Sequence, residues 1–251
     1  MNRIEAEDRL YCAMTIGEQL LVSGAEVNRV EDTIRRICMA AGMERVDVFT
    51  ITSSIVTTVY GRDFGSCTQT RRVSGMAYDL NRLDELNRLS RRICAQNLSH
   101  SQICAELAAI EAGPRYSFGV QLLIYAMISG SFSIFFGGSL RDMIASALIG
   151  ILLKLFESAL RRKAHNALVT GLLCSSVGGL LAQLSVQLGL GMHADLIGIG
   201  NIMLLIPGIA FTNSLRDLFS GDTITGLIRF LESMLLAIVI ALGFTLAGLL
   251  F

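Results

Sequence analysis

Tyr116–Leu140 reads YSFGVQLLIYAMISGSFSIFFGGSL, 25 residues without a charge between Arg115 and Arg141. About 20 apolar helical residues cross a hydrocarbon layer of about 30 Å, so this run is long enough to span a membrane. Three further runs have the same character. Ala164–Ala194 gives 31 residues whose only titratable groups are His165 and His193, Leu196–Leu215 gives 20, and Ser233–Phe251 gives 19. A fifth, Met143 to Ala159, is interrupted by Lys154 and Glu157. Those two lie three apart on one helix face, where they can pair or snorkel to the interface. The predicted spans are therefore about 117–138, 143–160, 166–189, 194–214 and 230–251.

Charge divides the chain outside these runs. The 251 residues hold 21 basic and 21 acidic side chains; 29 of these charges fall in Met1–Tyr116 and 13 in Ser117–Phe251. The fold expected is a polytopic α-helical membrane protein with five transmembrane helices and an N-terminal cytosolic α+β domain. The domain occupies residues 1–115 and the membrane part residues 116–251. With that domain inside, the inner flanks carry Arg115, Arg161, Arg162, Lys163, Arg216 and Arg229, and the outer flanks only Arg141. The positive-inside rule then places the N-terminus in the cytosol and the C-terminus outside, in a multi-pass arrangement in the cytoplasmic (inner) membrane. Arg3, Glu5, Glu7, Asp8 and Arg9 crowd the first ten residues, so no signal peptide is expected there.

Within the soluble half, Leu10, Met14, Gly17 and Leu21 form a helical stripe. Ser23 followed by Glu26 predicts a capping box for a second helix through Val27, Val30, Ile34, Ile37 and Ala41, which Gly42 ends. Val46 to Thr50, Ser53 to Tyr60 and Thr68 to Val73 are rich in β-branched residues and read as three strands. Leu80 to Ile93 forms another helix. Ser99 and Gln102 cap a last one through Ile103, Leu107 and Ile110. In the membrane half, Gly171, Ser175, Gly179 and Ser129, Ser133, Gly137 recur every fourth residue, as helices that pack closely require.

Several functions are excluded by composition and spacing. A net charge of zero leaves no electrostatic footprint for nucleic acid. The six cysteines form no Cys-x-x-Cys pair and read as isolated thiols, and His100 reads as an unpaired imidazole in the first turn of a helix. His193 and Asp195 are too few for a metal site. No glycine elbow surrounds Ser53 and Ser54, and no Walker motif is present, so neither an enzyme nor ATP hydrolysis is expected. No cofactor and no metal are implied.

The fourth span is the most informative. Pro207 removes a backbone donor and Gly208 follows it, so the helix should kink or break there. Broken helices at membrane depth present backbone groups to polar solutes. Asn201 and Asn213 lie on either side of the break, and Asp195 and Asp217 bracket the span. Asp195, Asn201, Pro207, Gly208, Asn213, Asp217, Asp222 and Arg229 are the candidates for a substrate or proton pathway. Asp217 can pair with Arg229, gate the inner mouth or accept a proton. The alternative is a membrane-anchored sensor or assembly module whose soluble domain is the working part.

Two clusters carry a family resemblance. Gly24-Ala25-Glu26-Val27 with Arg29 to Ile34, and Pro207-Gly208 with Asn213, Arg216-Asp217, Gly221-Asp222, Gly226 and Arg229, resemble the signatures of the threonine/serine exporter family. The resemblance implies a secondary exporter of small polar metabolites. Full-length members carry a second set of membrane helices, whereas this sequence stops at Phe251. It is similar to the split form, in which a larger subunit with a cytosolic domain works with a small membrane subunit, as in bacterial succinate export. The implied partners are that small membrane subunit, in a homo- or hetero-oligomer, the lipid bilayer and a small-molecule substrate. That substrate is either a dicarboxylate such as succinate or threonine and serine.

Overall fold

A computed structural model describes residues 1–75, 77–96, 98–113, 116–161 and 166–249. The inner-flank residues Arg115, Arg162 and Lys163, together with His165, lie outside the described residues. The chain forms two compact units. One comprises Met1–Pro114 with Ile209–Phe230, and the other Arg115–Gly208 with Leu231–Phe251.

The first unit is α+β. Helix α1 (Arg3–Val22) starts at an Asn2/Glu5 capping box and buries Ala6, Leu10, Ala13, Met14, Ile16, Leu20 and Leu21. More of its circumference is apolar than the predicted stripe, because α2 (Val27–Ala40), α3 (Leu80–Gln96), α4 (His100–Glu111) and two strands all pack on it. Gly17 lets α1 approach α2: a Cβ there would stand 2.5 Å from Ile34 Cδ1. The strands β1 (Arg45–Ile51), β2 (Ser54–Gly61) and β3 (Gly65–Arg72) form an antiparallel meander. Alternate residues Ile55, Thr57 and Val59 of β2 turn into the core, as a one-sided sheet requires. Ser99 and Gln102 make the expected capping box on α4.

The second unit contains α5 (Phe118–Phe135), α6 (Leu140–Arg161), α7 (Ala167–Gln187) and α8 (Ala194–Ile202). Helix α10 (Thr223–Gly248) begins in the first unit and continues into the second. Among the described residues four helices, α5, α6, α7 and α10, are long and apolar enough to cross a membrane. Their outward faces are continuous in apolar residues: Ile144, Leu148, Leu152 and Leu155 on α6, and Leu227, Leu231, Leu235, Ile238, Leu242 and Leu246 on α10 are exposed. Surfaces of this kind and extent suit lipid rather than water. The predicted small-residue stripe of α7 is buried at Gly171, Ser175 and Gly179, where Leu236, Gly243 and Ala247 of α10 come close.

The segment predicted as the fourth span is broken, as Pro207-Gly208 implies. It is divided into α8 and α9 (Gly208–Phe219), with five non-helical residues between them. Nine residues of α8 rise only about 14 Å, half of a hydrocarbon layer. The helix ends at Ile202, earlier than Pro207 itself. Tight turns follow, with Leu204 N–H donating to Asn201 O, Leu205 N–H to Ile202 O and Gly208 N–H to Ile206 O. Proline disfavours helical backbone in the residue before it as well as clashing with the preceding turn, so the disruption extends upstream.

Candidate functional site

In the first unit the corner between α1 and α2 receives α9 and the head of α10. Helix α1 closes with Gly24 at φ 96° and Ala25 N–H donating to Leu20 O at 2.9 Å, a left-handed C-terminal turn that favours glycine. Ser23 is the C-cap of α1, so the predicted Ser23/Glu26 capping box does not form: Glu26 occupies the N-cap of α2 without a side-chain cap bond. Asp217 supplies one from a distance. Its Oδ1 accepts the Val27 N–H at 3.3 Å, and its Oδ2 accepts from Arg229 Nη1 at 2.6 Å. Asp217 and Arg229 are 1% and 2% exposed.

The neighbours of this pair come from the same faces. Asn213, one helical turn before Asp217, donates through Nδ2 to Gly24 O at 3.1 Å. Arg216 forms an ion pair with the Glu26 carboxylate, which is thereby turned away from a capping role. Arg229 Nη1 also stands 3.5 Å from Ala25 O, and Asn28 Nδ2 donates to Ser220 O at 3.4 Å.

Three carboxyls here are displaced in one direction. Burial pushes Asp217 above the ordinary carboxylate range, against the pull of Arg229 and the Val27 N–H, and the Asp222 charge adds to the rise. Burial also raises Asp222, with Arg229 opposing. Glu31, whose carboxylate accepts the Thr50 N–H at 2.7 Å, is raised by burial and further by Asp222. Such a coupled group holds protons more readily than exposed acids do.

A second polar cluster lies in the second unit. Ser129 of α5 donates to Asn201 Oδ1 at 2.8 Å and lies 2.7 Å from the Ser146 hydroxyl of α6. Asn201 Nδ2 donates to Ile197 O at 2.9 Å and to Ser146 Oγ at 3.3 Å. All three side chains are fully buried. Gly200 makes the approach possible, since a Cβ there would meet Ser129 O and Ser146 Oγ. Between apolar helices this satisfied network ties α5, α6 and α8 together.

Asp142, at the start of α6, accepts from Ser139 N and Oγ, from the backbone N–H groups of Met192 and His193, and lies 3.0 Å from His193 Nδ1. It holds the α7–α8 connection against the beginning of α6. Glu157 accepts from Tyr125 at 2.9 Å and from Lys154 at 3.3 Å, the pairing that the spacing of the two charged residues predicts.

The eight predicted site residues thus fall into separate places. Asn213, Asp217, Asp222 and Arg229 gather in the first unit, and Asn201 belongs to the serine cluster of the second. Pro207 sits in the break and Gly208 opens α9. Asp195 is exposed in the first turn of α8. Sequence reasoning missed the Gly24–Val27 corner as their receptor, Ser146 as a partner of Asn201, and Asp142. For Asp142 a signal existed, because Ser139-Leu140-Arg141-Asp142 has capping-box spacing. His100, expected to be unpaired, stands between the thiols of Cys12 and Cys104.

The sequence matches the threonine/serine exporter family over residues 11–251. It is 25% identical over 230 residues to a protein named "Threonine/serine exporter" from Corynebacterium glutamicum, an alignment covering 89% of this chain and 47% of that one. The chain therefore spans about half the length of that relative. It is 22% identical over 242 residues to "Probable succinate transporter subunit YjjP" of Klebsiella aerogenes, covering 95% of this chain and 90% of the relative. No solved structure matches. These relatives are transporters rather than enzymes, and the long apolar helices accord with a multi-pass membrane protein. The chain belongs to the threonine/serine exporter family.

Proposed function

We propose that this protein is the larger subunit of a secondary exporter of small polar metabolites in the cytoplasmic membrane, completed by a small membrane subunit of the same family in a homo- or hetero-oligomer. The observation that carries the reading is the buried Asp217–Arg229 pair. It fastens the head of a long apolar helix to the α1–α2 corner through charges whose state a proton can change.

Five crossings remain the topology, with α8 and the break forming the fourth. The hydropathy of Leu196–Leu215 and the Asp142 contacts that hold the start of α8 beside the start of α6 support it, and the basic flanks favour a cytosolic N-terminal unit. The region 1–115 then forms the body of the cytosolic domain, with α9 added to it.

The length match to the succinate transporter subunit and the name of the longer relative leave two substrate classes, dicarboxylates and hydroxy amino acids. Their energetics differ. A potential of 100 mV, negative inside, favours exit of each net negative charge by about 2.3 kcal/mol. A zwitterion gains nothing from it and requires exchange, for which the raised carboxyls Asp217, Asp222 and Glu31 are the proton carriers. Cells expressing this chain with and without the small subunit test the reading. Accumulation of succinate, or of threonine and serine, in the medium only when both chains are present supports it. Unchanged extracellular levels of all three in cells with both chains verified in the membrane would overturn it.

A further inference from the structure

A cluster of metal-ligand side chains lies in the first unit where α1 meets α4. Cys12 on α1 is buried, whereas His100 and Cys104 are exposed and one turn apart on the same face of α4. Cys12 Sγ lies 3.1 Å from His100 Nδ1, and Cys104 Sγ lies 3.4 Å from His100 Nε2. One ligand atom from each of the three residues lies within 4.8 Å of the others. The relation is not visible in the chain, because 88 residues separate Cys12 from His100.

We propose that Cys12, His100 and Cys104 bind one zinc ion, with a water molecule completing the coordination. The donor set selects the metal: two thiolates and an imidazole favour zinc over the oxygen-seeking magnesium and calcium ions. Charge agrees as well. Two thiolates cancel the ion, so its placement beside the buried Cys12 adds no net charge to the core. Zinc bonds of about 2.3 Å to sulfur and 2.0 Å to nitrogen set the sulfur–nitrogen edge of a tetrahedron at about 3.5 Å. The Cys12 Sγ–His100 Nδ1 separation of 3.1 Å is within about 0.4 Å of that edge. The imidazole now bridges the sulfurs through opposite nitrogens, and rotating this exposed ring directs a single nitrogen toward both.

The backbone around the cluster is already fixed. Arg9 Nη1 donates to Leu98 O at 2.6 Å, tying α1 to the residue before the α4 cap, and the Ser99/Gln102 capping box sets the first turn that carries His100. A bound ion fastens α4 to α1, and its binding energy becomes folding energy of the first unit.

The test uses the full chain, purified in detergent, reduced and stripped of metal. Zinc, and cobalt as its coloured substitute, are titrated while bound metal per chain, thiolate-to-cobalt absorption and thermal unfolding are followed. The inference expects about one ion per chain, a cobalt–thiolate band and a raised unfolding temperature. Cys104→Ser and His100→Asn lose the ion and the band, whereas Cys94→Ser, an exposed cysteine outside the cluster, retains both. Cys104 and His100 are exposed, so circular dichroism of these variants separates loss of metal from loss of fold. Unchanged binding in both variants, absence of the cobalt–thiolate band, or a Cys12–Cys104 disulfide in protein isolated with thiols trapped would overturn the proposal.

Discussion

Replacing Asp217 by asparagine keeps the shape of the side chain and removes its charge. The amide oxygen can still accept the Val27 N–H, so the capping contribution of about 1 kcal/mol is retained. Arg229, 2% exposed, loses the carboxylate 2.6 Å from its Nη1. Breaking a buried pair from one side costs about 3–5 kcal/mol, and the nearby Asp222 charge argues for the lower end, about 3 kcal/mol. In a chain of this size, that lowers the unfolding midpoint by about 6–12 °C. Thermal unfolding of the purified chain should show the shift, and vesicles holding matched amounts of it with the small subunit should lose most efflux. Asp217→Asn combined with Arg229→Met removes both charges and should recover at least about 2 kcal/mol, while efflux stays absent. A single variant within about 0.5 kcal/mol of the parent and normal in efflux would refute the reasoning, and Asp217 would be only a helix cap.

Asn201→Leu should destabilise the second unit by about 1–3 kcal/mol, because Ser129 and Ser146 lose a partner in an apolar interior; denaturation in detergent measures it. The raised carboxyls Glu31 and Asp222 make the folded chain hold more protons than the unfolded chain above the ordinary carboxylate pKa of about 4. Stability should therefore fall as pH climbs from about 4 through the raised values. Asp222→Asn should flatten that slope and be neutral or stabilising at about pH 7, as thermal unfolding across pH will report. On a background without native cysteines, Arg141→Cys should react with an impermeant thiol reagent from outside and Arg62→Cys only from inside. The reverse pattern contradicts the orientation.

Much of the architecture is legible because it rests on local rules. Charge-free runs mark α5, α7 and most of α10, β-branched residues mark the meander, and i,i+3 spacing anticipates the Lys154–Glu157 pair of α6. The errors arise where a distant residue competes with a local pattern. Ser23 and Glu26 have the spacing of a capping box, yet Ser23 ends α1 and the cap of α2 comes from Asp217, 190 residues away. Leu196–Leu215 breaks as Pro207-Gly208 predicts, and only the upstream extent of the break, back to Ile202, goes unread. Asn201 reads as a polar residue beside the break, and only packing reveals its hydrogen bonds to Ser129, Ser146 and Ile197. The polar character of the candidate site is thus readable from the chain, whereas its partners depend on packing. Cys38 shows the opposite case: it reads as a buried inert thiol, and burial pushes its pKa to about 12.

Efflux from vesicles that contain this chain and the proposed small subunit, loaded in parallel with succinate and with threonine, tests the central claim most directly when voltage and pH gradients are imposed separately. The account predicts release of at least one of the two solutes. A dicarboxylate should respond to an inside-negative potential, and a zwitterion to an inward proton gradient. Either flux should require both chains and be lost in Asp217→Asn. Release that is equal in protein-free vesicles, or that neither gradient alters and Asp217→Asn leaves intact, contradicts it.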